Sequence, residues 1–287
     1  MIEFKEVEKK FKVDFWAKPF IALDNVSFTV LPSKITGFLG ANGAGKTTSI
    51  KSIFKFIPID SGEINYSSEL GQNFKEVLSN IGYVPERPYF YPHLTGEEFV
   101  TYMGKLQDMK VPDIRSQMMK WAERFKIDHA LSRKIHGYSK GMLQRLGFVT
   151  ALIHNPQMII LDEPLSGLDP VGRKEIKEAM LELNKIGKTI FFSSHIVSDV
   201  EEVCSEVVVL EKGKNLYSGP IDNLIEKNNK SEFKLTYKLP DGRIEIVKES
   251  ELKKKDLLEK TLSSGYEILS MNPLRPSLEE IVYNIRK

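Results

Sequence analysis

Short apolar runs, separated by helical patterns, dominate roughly the first 220 residues of this 287-residue chain. Such runs predict buried strands of a parallel sheet when helices connect them. The predicted strands are Ile2–Val7, Ala22–Leu31, Ile35–Leu39, Met158–Leu161, Thr189–Ser193 and Val207–Leu210. The third of these runs into a glycine-rich stretch, which a predicted helix over Lys46–Phe56 follows. This pattern predicts an α/β fold with a mainly parallel sheet.

The pattern becomes helical over about 87–155. Thr95 and Glu98 have the spacing of a capping box, which predicts that a helix begins there. Two further helices are predicted over Asp113–Phe125 and Lys140–His154. We therefore expect a helical insertion between two strands of the sheet.

The end of the chain has a different pattern. The polar stretch Glu226–Lys230 predicts a linker, and alternating apolar residues around Pro240-Asp241-Gly242 predict a hairpin. A helix over Ser250–Leu262, a strand over Tyr266–Ser270 and a capping box at Ser277 and Glu280 complete the prediction. We expect two domains, residues 1–222 and a small α+β domain over 231–287.

Composition narrows the class of protein. A net charge of +2 with no dominant basic stripe argues against a nucleic-acid partner. The single cysteine, Cys204, excludes an internal disulfide and fits a reducing compartment. No apolar stretch approaches the ~20 residues that span a bilayer, and the N-terminus lacks a signal-peptide pattern. We expect a cytoplasmic chain that reaches a membrane only through a partner.

Gly40–Thr47 matches the pattern G-x-x-x-x-G-K-[ST] of a phosphate-binding loop. Its glycines let backbone N–H groups surround phosphates at the start of a helix, where the helix dipole favours negative charge. Lys46 is expected to reach the β- and γ-phosphates, and Thr47 to ligate Mg²⁺. The predicted nucleotide-binding residues of this stretch are Gly40, Asn42, Gly43, Ala44, Gly45, Lys46, Thr47 and Thr48.

Asp162 and Glu163 directly follow the apolar run Met158–Leu161, so they are expected where a buried strand ends. A carboxylate there can hold Mg²⁺, and its neighbour can deprotonate an attacking water. We assign Asp162 to magnesium and Glu163 to the general base.

Four further segments complete a set: Pro85-Glu86, Tyr138–Met142, Leu165–Asp169 and His195. With the phosphate loop and Asp162-Glu163, they make residues 1–220 resemble the nucleotide-binding subunit of an ATP-binding-cassette (ABC) transporter. The resemblance implies a P-loop NTPase core with a mainly parallel sheet, antiparallel N-terminal strands and a helical insertion. It also implies ATP hydrolysis coupled to transport. Two copies of the chain, expected to form a homodimer, would hold MgATP between them and drive an integral membrane permease from the inner face of the membrane.

The segment Tyr138–Met142 is similar to the family signature, usually Leu-Ser-Gly-Gly-Gln, and keeps its serine and second glycine. The resemblance implies that Ser139 and the Gly141 amide contact the γ-phosphate bound to the opposite subunit. It likewise implies that Asp169 orients the opposite catalytic site, although Asp169 before Pro170 is also a good helix start. It implies that His195 donates a hydrogen bond to the γ-phosphate and holds the attacking water.

Glu86 stands where the family usually carries a glutamine that ligates Mg²⁺. Glutamate keeps the oxygen donor, and it is frequent in the drug- and antibiotic-export branch, so the resemblance favours export. The family also stacks an aromatic ring on adenine. Phe11 is the favoured candidate for that role, with Phe15, Trp16 and simple core packing as alternatives.

Two other functions remain open from the sequence. One is a cassette ATPase that acts on ribosomes or DNA, although such proteins usually carry two cassettes or a long coiled-coil insertion. The other is a nucleotide-sensing regulator with little turnover, against which Glu163 and His195 argue. The expected function is an ATPase subunit of a transporter, working as a homodimer.

Overall fold

The computed structural model describes residues 1–12, 16, 19–228, 232–274 and 276–286. The chain divides into two compact units, Met1–Gly219 and Pro220–Lys287. Within the described ranges no helix is both long enough and apolar enough to cross a membrane.

The strands of the first unit are β1 (Ile2–Phe11), β2 (Phe20–Val30), β3 (Ile35–Gly40), β4 (Ser61–Tyr66), β5 (Ile81–Val84), β6 (Met158–Leu161), β7 (Thr189–Ser194), β8 (Glu206–Glu211) and β9 (Lys214–Pro220). Its helices are α1 (Lys46–Ile53), α2 (Phe74–Ser79), α3 (Gly96–Leu106), α4 (Val111–Arg124), α5 (Lys140–Leu152), α6 (Pro170–Lys185) and α7 (Val197–Val203).

A six-stranded sheet with the order β5-β6-β7-β3-β8-β9 forms the centre of this unit. Every pair from β5 through β8 is parallel, whereas β1 pairs antiparallel with β2 and β4 in a second sheet. The predicted fold class is confirmed. Because parallel strands end at the same edge, the loops after β3, β5, β6 and β7 lie side by side.

Aromatic packing joins the two sheets. Phe4 of β1 stacks on Phe28 of β2 with ring centroids 4.3 Å apart, and Phe28 lies 5.3 Å from Phe38 of β3 and 5.9 Å from Phe191 of β7. All four rings are buried. Since close-packed aromatic side chains resist displacement, this contact fixes β3 and β7, whose ends carry predicted site residues.

The helical insertion is confirmed, because α3, α4 and α5 lie between the adjacent strands β5 and β6. The capping box is present: the Thr95 hydroxyl accepts from the Glu98 N–H at 3.1 Å, and the Glu98 carboxylate accepts from the Thr95 N–H at 2.8 Å. The elements β4, α2 and β5 were not predicted from the sequence. Residues of β4 are exposed or half-buried, and β5 has only four residues, so neither carries a strong apolar pattern.

The second unit consists of α8 (Ile221–Lys227), β10 (Glu232–Lys238), β11 (Ile244–Ser250), α9 (Lys254–Ser263), β12 (Glu267–Leu274) and α10 (Leu278–Ile285). The hairpin of β10 and β11 and the capping box at Ser277 are confirmed. The predicted helix from Ser250 begins later, because β11 continues to that residue. The predicted linker was wrong at Glu226 and Lys227, which end α8, while Asn229 and Lys230 lie outside the described residues.

Candidate nucleotide-binding and catalytic site

The predicted phosphate loop connects β3 to α1, and two of its glycines have backbone conformations that other residues avoid. Gly43 has φ +80° and Gly45 has φ +110°. A Cβ atom on Gly45 would lie 2.5 Å from the carbonyl oxygen of Ala22, so this position requires glycine. The loop therefore leads tightly into the N-terminus of α1, where free N–H groups can bind an anion.

An open cleft of about 380 Å³ lies beside this loop. The predicted site residues that line it are Asn42, Gly43, Gly45, Lys46, Thr47, Thr48, Glu86, Glu163 and His195. Gly40 ends β3, and Ala44 is 4% exposed, so these two belong to the loop without lining the cleft. The structure thus brings together side chains that are more than 100 residues apart in the sequence.

Asp162 follows β6 and is 1% exposed. The hydroxyl of Ser193 donates to its Oδ1 at 2.6 Å, and the hydroxyl of Thr47 donates to the same oxygen at 3.4 Å. Burial raises the pKa of the Asp162 carboxyl, and the nearby carboxylates of Glu163 and Glu86 act in the same direction. Among the described residues no cation lies within ion-pair distance of Asp162. The hydrogen bonds that its carboxylate accepts come from the uncharged hydroxyl groups of Ser193 and Thr47.

Glu163 is the meeting point of the three predicted catalytic residues. Lys46 Nζ lies 3.1 Å from Glu163 Oε1, and His195 Nδ1 lies 2.8 Å from Glu163 Oε2. Since an ionised carboxylate only accepts hydrogen bonds, this contact places the imidazole proton on Nδ1. Lys46 Nζ also donates to the carbonyl of Gly40 at 2.8 Å. The carboxylate is therefore held beside the phosphate loop by a hydrogen bond with His195 and an ion pair with Lys46.

The backbone of Glu163 has φ +49°, a left-handed conformation that costs a non-glycine residue of the order of 1 kcal/mol or more. Its N–H donates to the hydroxyl of Ser193 at 2.8 Å, which fixes the turn after β6. Such strain is typical of residues whose orientation matters for function. Here it directs the Glu163 side chain toward Lys46 and His195.

Ser193 is a site residue that the sequence analysis missed. It is fully buried near the end of β7 and bonds both the side chain of Asp162 and the backbone of Glu163. The available signal was its place near the end of a predicted strand, next to Ser194 and His195. A serine there is usually structural, so the pattern alone gave it no role.

The residues predicted to face a second copy lie elsewhere. Ser139 is exposed and caps α5, with its hydroxyl accepting from the Met142 N–H at 3.3 Å. Asp169 caps α6 by accepting from the Gly172 N–H at 3.0 Å, so the helix-start interpretation is confirmed. Neither these residues nor Gly141 line the cleft of their own chain. Their predicted interface role stays a prediction.

Tyr138 explains one departure from the family signature. Its ring is 8% exposed, and its hydroxyl donates to the carbonyl of Ala130 at 2.6 Å. A Cβ atom on Gly96 would lie 2.4 Å from this hydroxyl, so glycine at the start of α3 makes room for tyrosine. The change from leucine therefore alters packing within the insertion and leaves Ser139 as the cap of α5.

The structure distinguishes the aromatic residues that could stack on adenine by whether they line the cleft. Phe11 ends β1 and pairs with Phe20 of β2, but only Phe20, which is 53% exposed, lines the cleft. Trp16 is 91% exposed, and Phe15 lies outside the described residues. Phe20 is thus a candidate for stacking that the sequence analysis did not consider.

The cleft has the oxygen-rich chemistry that Mg²⁺ prefers. Thr47 and Asp162 share a hydrogen bond, and the charge of Glu86 is close enough to act on the pKa of Asp162. No group of three or more His, Cys, Asp or Glu side chains that could hold a metal ion occurs in the described part of the chain. Asp162 and Glu86 could supply the one or two carboxylates that Mg²⁺ usually takes from a protein, with phosphates and water completing its shell.

Comparisons with known proteins place these features in a family. The family model described as ABC transporter matches residues 23–166. An ABC transporter ATP-binding protein of Nostoc sp. is 34% identical over 97% of this chain and 88% of its own length. The bacitracin transport ATP-binding protein BcrA of Bacillus licheniformis is 37% identical over 75% of this chain and 70% of its own length.

Solved structures agree in fold. The ATP-binding subunit of an ABC transporter superposes with a TM-score of 0.68 at 28% identity, covering 79% of this chain and 92% of that one. The cassette MJ0796, a dimer in a post-hydrolysis state with ADP and Pi, superposes with a TM-score of 0.69 at 22% identity, covering 77% and 99%. The family model, the relatives and the geometry of the cleft together show that this chain belongs to the ABC transporter family, as an ATP-binding subunit that hydrolyses ATP.

Proposed function

We propose that two copies of this chain hold MgATP between them, with the phosphate loop of one copy facing Ser139 and Gly141 of the other. One observation carries the proposal: Ser139, Gly141 and Asp169 line no part of the cleft in their own chain. Exposed hydroxyl and N–H groups at the start of α5 are suited to an anion supplied by another subunit. One complete set of motifs in the chain favours a homodimer.

Within the cleft, the N–H groups of the phosphate loop and the Lys46 ammonium bind the β- and γ-phosphates. The γ-phosphate competes for Lys46, which releases Oε1 of Glu163 to accept a proton from water. The water oxygen then bonds to the γ-phosphorus as the bond to the ADP oxygen breaks. His195 keeps Glu163 and the water in place, because its Nδ1–H already donates to Oε2.

Thr47, Asp162 and Glu86 are the proposed ligands of Mg²⁺, directly or through water. When bound, the ion neutralises phosphate charge and also compensates the buried Asp162 carboxylate. The adenine ring is proposed to stack on Phe20, which is exposed, or on Phe11, which is half-buried and pairs with it where β1 and β2 meet.

ATP hydrolysis is proposed to drive an integral membrane permease, which holds the chain at the inner face of the membrane. Export is the proposed direction, supported by Glu86 and by the similarity to a bacitracin transport protein. The small domain over 231–287 is proposed to add to dimer contacts or regulation, and residues 1–222 to form the ATPase domain.

An aromatic surface on the insertion supports the permease contact. Tyr89, Tyr91 and Tyr102 are 82%, 39% and 44% exposed, and Tyr91 lies 6.1 Å from each of the other two rings. Exposed clusters of aromatic side chains are enriched at protein interfaces. This cluster begins three residues after Glu86, so it connects the nucleotide cleft to the proposed contact surface.

The first experiment is to isolate a tagged copy from detergent-solubilised membranes of its own cell and identify the proteins that copurify. We expect an integral membrane protein, and we expect the pair Tyr89→Ala and Tyr91→Ala to lose it while ATP hydrolysis persists. Ile186→Ala is the control, because Ile186 is 65% exposed outside the insertion. Recovery with ribosomal or DNA-bound proteins alone would replace the transporter proposal with a soluble cassette ATPase.

A further inference from the structure

The two segments proposed to face the partner's nucleotide are each fixed to the start of a helix. Ser139 caps α5, and Asp169 caps α6. The position of one relative to the other therefore depends on how these two helices are joined. Yet α5 packs mainly on α3, α4 and β5, within or beside the insertion, rather than on α6.

Glu175 of α6 makes the connection. Its Oε2 lies 2.9 Å from Nη2 of Arg145 on α5, and its Oε1 lies 2.7 Å from Nζ of Lys126, two residues after α4. Its side chain is 18% exposed. The Lys126 ammonium, followed by Arg145, holds the pKa of the Glu175 carboxyl below its usual range. Both carboxylate oxygens are thus used by cations from the insertion.

The backbone conformation of Lys126 also supports a role for its contact with Glu175. Lys126 has φ +54° just after α4, where glycine is the usual residue because a side chain is strained there. Lys126 adopts this strained conformation at a position from which its ammonium group contacts Glu175. Gln144 of α5, which is buried, donates to the carbonyl of Pro164 at 3.1 Å, beside the catalytic turn.

Helix α6 is in turn anchored to the core. Asp199 of α7 is 1% exposed and pairs with Arg173 at 2.6 Å and with Lys177 at 2.9 Å. Glu175 therefore joins the insertion to a helix that already has a fixed place beside the segment carrying His195.

We propose that Glu175 is a positioning residue that holds the start of α5 and the start of α6 in one geometry, so that Ser139 and Asp169 meet the partner's nucleotide together. This inference rests on the proposed dimer. Glu175 acts through Arg145 and Lys126, and it touches neither nucleotide nor water. Its loss weakens ATP-driven dimer formation and leaves nucleotide binding by the single chain unchanged.

The test compares Glu175→Gln with Glu182→Gln, both placed in the full chain carrying Glu163→Gln. Glu182 is a matched control because it also bridges α6 to the insertion, at 2.6 Å from Arg124 of α4, but does not reach α5. Light scattering at increasing MgATP measures dimer formation, and a fluorescent ADP analogue measures binding to the single chain. We expect Glu175→Gln to raise the ATP concentration for half-maximal dimerisation by about fivefold or more, and Glu182→Gln to leave it within about twofold.

A double-mutant cycle sharpens the test. Arg145→Gln should reproduce part of the loss, and adding it to Glu175→Gln should cost little more, because both changes remove the same contact. Equal behaviour of Glu175→Gln and Glu182→Gln, additive effects in the cycle, or weaker ADP binding would each overturn the inference. If the parent Glu163→Gln chain stays monomeric at saturating MgATP, the proposed dimer itself fails and the inference falls with it.

Discussion

The proposed site has two halves, the cleft of one chain and the helix starts at Ser139 and Asp169 of another. The two halves differ in how many of their contacts are already formed within a single chain. In the cleft, Lys46, Glu163 and His195 contact one another, and Ser193 ties Asp162 to the same turn. Outside the cleft lining, Ser139 and Asp169 each accept a hydrogen bond from the first turn of their own helix. The first half is a connected network, whereas the second consists of two separate, exposed helix caps.

This difference separates binding from turnover. A network at the carboxyl edge of a parallel sheet is preorganised by the fold, so a single chain can bind nucleotide there. The exposed helix starts contribute only once a second copy brings a phosphate to them. Variants of the cleft should therefore impair the chemistry itself, and variants of the helix starts should impair turnover without weakening binding to the single chain.

The largest effect is expected for Glu163→Gln. Glutamine keeps the shape but cannot accept the proton of the attacking water, so phosphate release should fall about 10³-fold. Binding of ATP should persist, because Lys46 and the loop N–H groups are unchanged. A steady-state phosphate-release assay with a parallel ATP-binding measurement checks both expectations. Hydrolysis within tenfold of the original chain would remove Glu163 from the role of general base.

Ser139→Ala tests the other half, with Thr95→Ala as its matched control. Each change removes an N-cap hydroxyl and should lower the melting temperature by roughly 2–4 °C, the effect of about 1 kcal/mol in a chain of this size. Only Ser139→Ala should also slow hydrolysis, by about 10- to 100-fold, because a hydrogen bond to a charged phosphate is lost. An equal loss of hydrolysis in both variants would reduce Ser139 to a simple cap.

Sequence alone predicted the cleft better than its surroundings, for physical reasons. The phosphate loop, Asp162 and Glu163 each follow a short buried strand, and parallel strands that end together bring such residues to one edge. Ser193 was missed because a buried hydroxyl has no pattern of its own until the neighbouring strand is known. Phe20 was missed for a related reason: its place at the cleft depends on its pairing with Phe11 across β1 and β2.

The aromatic pair gives the next prediction. Phe20→Ala should weaken ATP binding by about tenfold, since stacking of a base on an aromatic ring contributes roughly 1–3 kcal/mol. Phe11→Ala should change it less, because Phe11 is outside the cleft lining. Titration of each variant with ATP and with inorganic triphosphate separates adenine contacts from phosphate contacts. A larger loss for Phe11→Ala would restore Phe11 as the stacking residue.

The smallest effect is expected for Glu86→Gln, which converts the residue to the usual one of the family. Both side chains offer an oxygen to Mg²⁺, so hydrolysis should stay within about tenfold, with a modestly higher Mg²⁺ requirement. The negative charge of Glu86 raises the pKa of the buried Asp162 carboxyl, so Glu86 adds to the negative charge around the cleft. Glu97→Gln is the control, an exposed carboxylate of α3 that does not line the cleft. Phosphate release measured over a range of Mg²⁺ concentrations checks the prediction.

A loss of hydrolysis by several decades would mean that the charge of Glu86 takes part in the reaction. The connected half of the site would then extend from β6 and β7 to the loop after β5, where the insertion begins.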